Sequence, residues 1–281
     1  MAVFYNQATL SYAGGAVRSN ITTGEISEAV TVSKTAVSGS YTPGGSVVYA
    51  LSISNAGAAP VTGVVVTDDL GGYVFGEATV YPLAYVPDSL LYYVDGLLQA
   101  APTVEPGPPL VIQGIEVPAG DSVMLIYEAR VTPYAPLGEA AAITNTATVT
   151  GSCIPTPLTA AATVTLAQEP RLSISKSVDP AVVTGCSTLT YTFVIQNAGS
   201  DADAADALVV SDTFDPVLRG MEVTLDGEPM NAAGYSYDET TGVFATVGGA
   251  VTVPAAAYAQ GTDGSWTVTP GVTVLTVSGT R

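Results

Sequence analysis

An eight-residue phrase, Phe4-Tyr5-Asn6-Gln7-Ala8-Thr9-Leu10-Ser11, returns as Ile143-Thr144-Asn145-Thr146-Ala147-Thr148-Val149-Thr150. A phrase that recurs at domain spacing constrains the chain more than its composition does. It divides the 281 residues into two copies of one unit. Each copy is expected to close with this strand. The second copy reaches Arg281 without it, while a spare version stands at the N-terminus. The expected parts are an N-terminal donor strand and linker at 1–28, a first repeat at 29–150, a linker at 151–170, and a second repeat at 171–281 lacking its last strand.

Val, Thr, Ala and Gly dominate, Gly and Pro punctuate at short spacing, and no stretch keeps a helical apolar period. In the first copy Val47 to Ser54 alternates with Val47, Tyr49, Leu51 and Ile53 on one face. Asn55-Ala56-Gly57 then turns the chain into Val64 to Asp68, and Asp95-Gly96 marks a hairpin tip. Val123 to Tyr127 follows, and Ile143 to Thr150 closes the copy. The second copy repeats the order with Leu172 to Lys176, Leu189 to Ile195, Asn197-Ala198-Gly199, Leu208 to Asp212, a tip at Asp226-Gly227, and Val272 to Leu275. Short strands at regular spacing in a unit of this size give an all-β chain: two tandem Ig-like β-sandwich domains preceded by an N-terminal donor strand.

The spaced signature is a Lys in the first strand, Tyr-x-apolar-x-Ile-x-Asn-Ala-Gly, Val-Val-Thr/Ser-Asp, and Asn-Thr-Ala-Thr-Val. It resembles the bacterial surface-protein repeat known as domain of unknown function eleven, over nearly the whole chain. The two-repeat layout also resembles the main subunits of appendages on spores of anaerobic spore-formers. The resemblance implies an extracellular structural role at a cell or spore surface and no catalysis on an outside substrate.

Lys34 and Lys176, the two lysines of the chain, occupy the same place in the two copies. Strand alternation puts Lys34 on the face of Val30 and Val32, and Lys176 on that of Leu172 and Ile174. The same count sets Asp68 with Val64 and Val66, and Asp212 with Leu208 and Val210. Asn145 falls with Ile143, Ala147 and Val149, and Asn6 with Phe4, Ala8 and Leu10. Lys, Asp and Asn are thus all aimed at apolar cores, where an unpaired charge is costly, so they should meet. Two readings stay open. One is a buried Lys–Asp ion pair with Asn hydrogen-bonded to it. The other is an autocatalytic Lys–Asn isopeptide bond, with Asp68 and Asp212 as catalysts, Lys34 joined to Asn145 within a subunit and Lys176 to Asn6 between subunits. The order Lys, Asp, Asn resembles that of covalently stapled Gram-positive adhesin domains.

Other signals narrow the function further. The formal net charge of −18 makes nucleic acid a poor partner. No run is long and apolar enough to span a membrane, and the start lacks the basic and apolar regions of a secretion signal. Either a signal has been removed, or the protein is made inside a cell that later releases it. Without histidine there is no Ser-His or Cys-His pair. Asp201, Asp203 and Asp206 lack the glycine and closing glutamate of a calcium loop and read as a solvated turn, so neither metal nor cofactor is expected. Whether Cys153 and Cys186 form a disulfide, and within or between subunits, the sequence leaves open. The expected partner is the chain itself as a head-to-tail homopolymer, with minor tip or anchor proteins besides. The alternative is a two-domain surface adhesin or stalk fragment that binds a host or matrix ligand.

Overall fold

The computed structural model describes residues 2–26, 29–183, 185 and 187–281. Apart from two short 3₁₀ turns, its regular elements are β-strands. They form two compact units, Met1–Ala135 with Ala142–Thr165, and Pro136–Ala141 with Leu166–Arg281. Each is an Ig-like β-sandwich.

The N-terminal stretch folds on itself. β1 (Ala2–Asn6) pairs antiparallel with β4 (Thr22–Ile26), and β2 (Thr9–Tyr12) pairs with β3 (Gly15–Arg18). Residues 12–28, read from sequence as a linker, therefore supply two strands. Their Gly, Ser and Thr content masked the pairing, because only the mate was recognisable as a strand. Phe4, Asn6, Ala8 and Leu10 all remain exposed.

In the first sandwich one sheet contains β5 (Val30–Ala36), β7 (Ser46–Asn55), β11 (Leu83–Tyr85), β12 (Leu91–Val94), β13 (Leu97–Gln99) and β16 (Ser122–Val131). Its order is β13-β12-β16-β7-β5, with β11 also on β16. The other sheet holds β6 (Ser40–Tyr41), β8 (Val61–Asp68), β14 (Thr103–Glu105), β15 (Leu110–Val117), β17 (Ala142–Thr150) and β18 (Leu158–Leu166), in the order β14-β15-β8-β17-β18-β6. β9 (Tyr73–Phe75) and β10 (Ala78–Val80) form a separate small hairpin. Alternation fixes the faces: Val47, Tyr49, Leu51 and Ile53 of β7 are buried against Val64 and Val66 of β8 and Ile143, Ala147 and Val149 of β17. Each large apolar side chain so enclosed contributes about 1.5–3 kcal/mol. β18 falls inside the expected linker 151–170. Its alternating Ala162, Val164 and Leu166 are buried, so the run belongs to the sheet despite the prolines before it.

The second sandwich contains β19 (Leu172–Asp179), β20 (Thr188–Asn197), β22 (Arg219–Leu225), β23 (Glu228–Pro229) and β28 (Gly271–Thr280), in the order β19-β20-β28-β22-β23. Opposite are only β21 (Ser211–Thr213), β24 (Tyr235–Tyr237) and β25 (Val243–Thr246), in the order β21-β25-β24. A hairpin of β26 (Ala257–Gln260) and β27 (Trp266–Thr269) completes it. The strand expected over Leu208 to Asp212 is reduced to Ser211–Thr213. Its counterpart β8 is gripped on both sides, by β15 and β17, whereas β21 pairs with β25 alone.

The repeated Asn-Ala-Gly proves to be a turn clamp. Asn55 accepts from Gly57 N–H at 2.9 Å and donates to the carbonyls of Ala59 and Pro118 at 2.8 and 3.0 Å. Asn197 does the same for Gly199 and Ser200. A Cβ at Gly199 would lie 2.1 Å from the Glu169 carbonyl, so the close approach of that backbone requires glycine. The tips at Asp95-Gly96 and Asp226-Gly227 form as expected, all four residues having positive φ.

Candidate functional site

Lys34 sits on the edge strand β5, opposite Leu51 of β7. Its side chain is fully enclosed and reaches across the sandwich to Asp68, the last residue of β8, with Nζ 2.5 Å from Oδ2. The second carboxylate oxygen accepts from Leu70 N–H at 3.0 Å, which fixes the carboxylate plane. The Tyr127 hydroxyl on β16 donates to the same Oδ2 as Lys34. Lys34 Nζ also lies over the Tyr49 ring, 4.9 Å from its centroid.

Asn145 completes the cluster from β17. Ala147 pairs with Asp68, so Asn145 is the diagonal neighbour of that carboxylate on the same face. Asp69 pins this part of β17, accepting from Thr146 N–H at 2.9 Å and donating its own N–H to the Thr146 carbonyl at 3.0 Å. Asn145 is 0% exposed, yet neither its carboxamide oxygen nor its nitrogen has a hydrogen-bond partner. It faces the hydroxyls of Tyr49 and Tyr127. The buried Tyr49 hydroxyl lies near enough to interact with Asn145, but neither group makes a hydrogen bond of ordinary geometry. Orphaned amides are rare in cores because each forfeits the water it left behind.

Burial lowers the pKa of Lys34, and the nearby Asp68 offsets only part of that shift. Burial, reinforced by the Asp68 charge, pushes Tyr49 and Tyr127 upward, so both hydroxyls remain donors. The cluster thus sets an amine whose pKa burial lowers beside a carboxylate, with a buried amide and two tyrosine hydroxyls close by.

The second cluster has the same frame in different surroundings. Lys176 pairs with Phe193 as Lys34 pairs with Leu51, and its Nζ bonds Asp212. The Nζ lies 4.7 Å from the Tyr191 ring centroid. The sequence places Lys176 in a core, but its side chain is 41% exposed and every residue of β19 is exposed. The physical reason is the open edge of β21: among the described residues, nothing occupies the place β17 holds in the first sandwich. Asn6 is exposed and brought to neither cluster. The registers also expose a substitution. Tyr127 stands opposite Tyr49, and Val277 stands opposite Tyr191, so the second cluster has no hydroxyl where Tyr127 donates.

Sequence reasoning missed the two tyrosine hydroxyls. The alternation already turned Tyr49 inward, and Tyr127 shares a face with Val123 and Leu125, but only the paired strands bring both to Asp68. Asp203 and Asp206 are engaged in capping the turn Ala204–Asp206, through Ala205 N–H and Asp203 N–H respectively. Cys153 is exposed, and Cys186, the other half of the considered disulfide, lies outside the described residues.

No family model and no curated protein matches the chain, so its likeness to the surface-protein repeat stays a resemblance of motifs. Among solved structures it is similar to the full-length major pilin SpaD of Corynebacterium diphtheriae, with 14% identity over 85% of this chain and 60% of that one, at TM-score 0.39. It is similar to BcpA, the major pilin subunit of Bacillus cereus, with 12% identity over 95% and 73%, at 0.36. A third is the collagen-binding subdomain of the Enterococcus faecalis surface protein ACE, with 9% identity over 50% and 99%, at 0.33. Likenesses this weak add no weight to a functional reading, which rests on the clusters themselves.

Proposed function

We propose that the chain is a structural subunit of an extracellular filament at a cell or spore surface. It polymerises head to tail by donating β1 and β2 to the second repeat of a neighbour, and Lys–Asn isopeptide bonds staple it within and between subunits. One observation carries the reading: two equivalent Lys–Asp pairs, one sealed under β17 and the other open at 41% exposure. An open edge beside an apolar slot is removed from water by pairing with another strand. Phe4, Asn6, Ala8 and Leu10 repeat the face of Ile143, Asn145, Ala147 and Val149. Laid in that register, Ala8 comes opposite Asp212, and Asn6 stands beside Lys176. Contacts of this head-to-tail kind that do not close build an open fibre.

The chemistry of the first staple needs no outside reagent. Lys34, whose pKa burial lowers, passes its proton to Asp68. The amine attacks Cγ of Asn145, and the Tyr49 hydroxyl steadies the carbonyl oxygen as negative charge gathers there. Asp68 gives its proton to Nδ2, the bond from Cγ to Nδ2 breaks, and ammonia leaves. A proton from the new amide nitrogen returns to Asp68, which ends neutral. The product has no charge left in the core.

Intact-mass spectrometry of the folded monomer tests this directly. The mass is expected to fall short of the sequence mass by one ammonia, and Asp68→Ala is expected to restore it. A full mass, with Lys34 and Asn145 recovered in separate peptides, would leave the plain ion pair. Negative-stain microscopy of the purified protein tests the filament: fibres are expected, and a protein that stays monomeric at all concentrations returns the reading to a surface binding module.

A further inference from the structure

We propose that the donated element is the whole N-terminal hairpin: β1 and β2 enter another copy in the place of β17, and β3 and β4 lie outside them in the place of β18. The inference rests on the strand-donation reading and deepens it, with a second copy of this chain as the partner.

The registers carry it. In the first sandwich β17 pairs along its length with β18, setting Ile143 opposite Val164, Asn145 opposite Ala162 and Val149 opposite Leu158. At the N-terminus the spare phrase has a mate of its own, with Phe4 opposite Gly24, Asn6 opposite Thr22 and Leu10 opposite Val17. The outer strand holds one bulge, where Ser19, Asn20 and Ile21 face Gln7 and Ala8; Ser19 N–H donates to the Ala8 carbonyl and the Ser19 hydroxyl accepts from Ala8 N–H, both at 2.9 Å. The bulge sits on the outer strand, so the alternation of Asn6, Ala8 and Leu10 on the inner one is kept. Short connections lead from β4 to β5 and from β18 to β19.

The side chains of the outermost matching pair agree. Ile143 and Val164 share their volume evenly, whereas Phe4 and Gly24 divide it as large and small. A Cβ at Gly24 would stand 2.3 Å from the Phe4 ring, so the ring covers the glycine and fills the room a second side chain would take. Both faces are open, with Phe4 52% and Leu10 67% exposed on one and Val3 48% and Tyr5 70% on the other. A two-stranded ribbon of this kind is marginal in water by itself and gains a third strand by docking. On the edge of β21 it would give the second repeat the strand order of the first, with the outer strand, the inner strand, β21, β25 and β24 matching β18, β17, β8, β15 and β14.

The test is a volume swap in the full chain, followed by light scattering as fibres grow. Gly24→Val alone should drive Phe4 out of register and slow growth about tenfold. The double variant Phe4→Ile, Gly24→Val recreates the Ile143–Val164 pair and should restore the parent rate. Growth of Gly24→Val at the parent rate would overturn hairpin donation, because Gly24 would not then lie beside Phe4 in the fibre. A slow double variant would overturn it too. Deleting Met1 to Ser11, run alongside, separates the failures: fibres without those residues end strand donation itself, while their loss together with an indifferent Gly24→Val ends only the two-stranded form.

Discussion

The two repeats hold the same Lys–Asp pair, and what differs is the strand above it. Under β17, Lys34 loses water on every side, its pKa falls, and it is paired with Asp68 at 2.5 Å. Beside the open edge of β21, Lys176 keeps contact with water, and its bond to Asp212 is a half-exposed surface pair. Closure, and not the residue pair alone, therefore distinguishes the surroundings of the two lysines. In the proposed assembly, bond formation in the second repeat therefore follows the arrival of the donated strand.

The comparison can be broken most severely at the N-terminus. Deleting Met1 to Ser11 should abolish fibres, scored by electron microscopy, while leaving the ammonia loss of the first repeat in place. Fibres of normal length from this variant would mean that the open edge is closed by something else. Next in size is Asp68→Ala. In the unstapled Asn145→Ala background it leaves the buried Lys34 amine without its carboxylate and should destabilise the first repeat by about 3–5 kcal/mol, read by urea denaturation, and in the parent it should block the staple, read by mass.

Smaller effects sharpen the contrast. Tyr127→Phe removes a buried hydrogen bond to a carboxylate and should cost about 1.5–3 kcal/mol in an unstapled background such as Asn145→Ala, measured by the same denaturation. Staple formation in the Tyr127→Phe single variant should also slow. A matching gain is expected from Val277→Tyr, which supplies the missing hydroxyl and should speed bond formation in assembled fibres. Asp212→Ala in the free subunit should change stability by no more than about 1 kcal/mol, because its pair is exposed. If Asp212→Ala proves as damaging as Asp68→Ala, the second cluster is already sealed and the comparison collapses.

Much of this was legible in the sequence. Period-two alternation located β7, β17 and β20, and the paired Asn-Ala-Gly turns and Asp-Gly tips fell where the strands require them. Lys34, Asp68 and Asn145 were assigned to the core by counting faces, and the structure buries all three. The misses share a cause. β3 and β4 carry little apolar pattern, and β18 is rich in alanine, so each is recognisable only by the mate it pairs with. The exposure of Lys176 was misjudged because face counting assumes that every face is covered, and coverage depends on strands distant in sequence. The tyrosine hydroxyls escaped for the same reason: the alternation turns Tyr49 and Tyr127 inward, but their meeting with Asp68 and Asn145 depends on two sheets stacking.

The most direct measurement grows fibres from an equal mixture of ordinary and heavy-nitrogen subunits, boils and reduces them, and digests them with trypsin. Acylated lysine resists cleavage. The account predicts a branched peptide joining residues 1–18 through Asn6 to Lys176 in residues 172–219, lighter than its parts by one ammonia, and present in mixed-label as well as like-label forms. Cleavage after Lys176, with the residue 1–18 peptide recovered whole and unlinked, would contradict it.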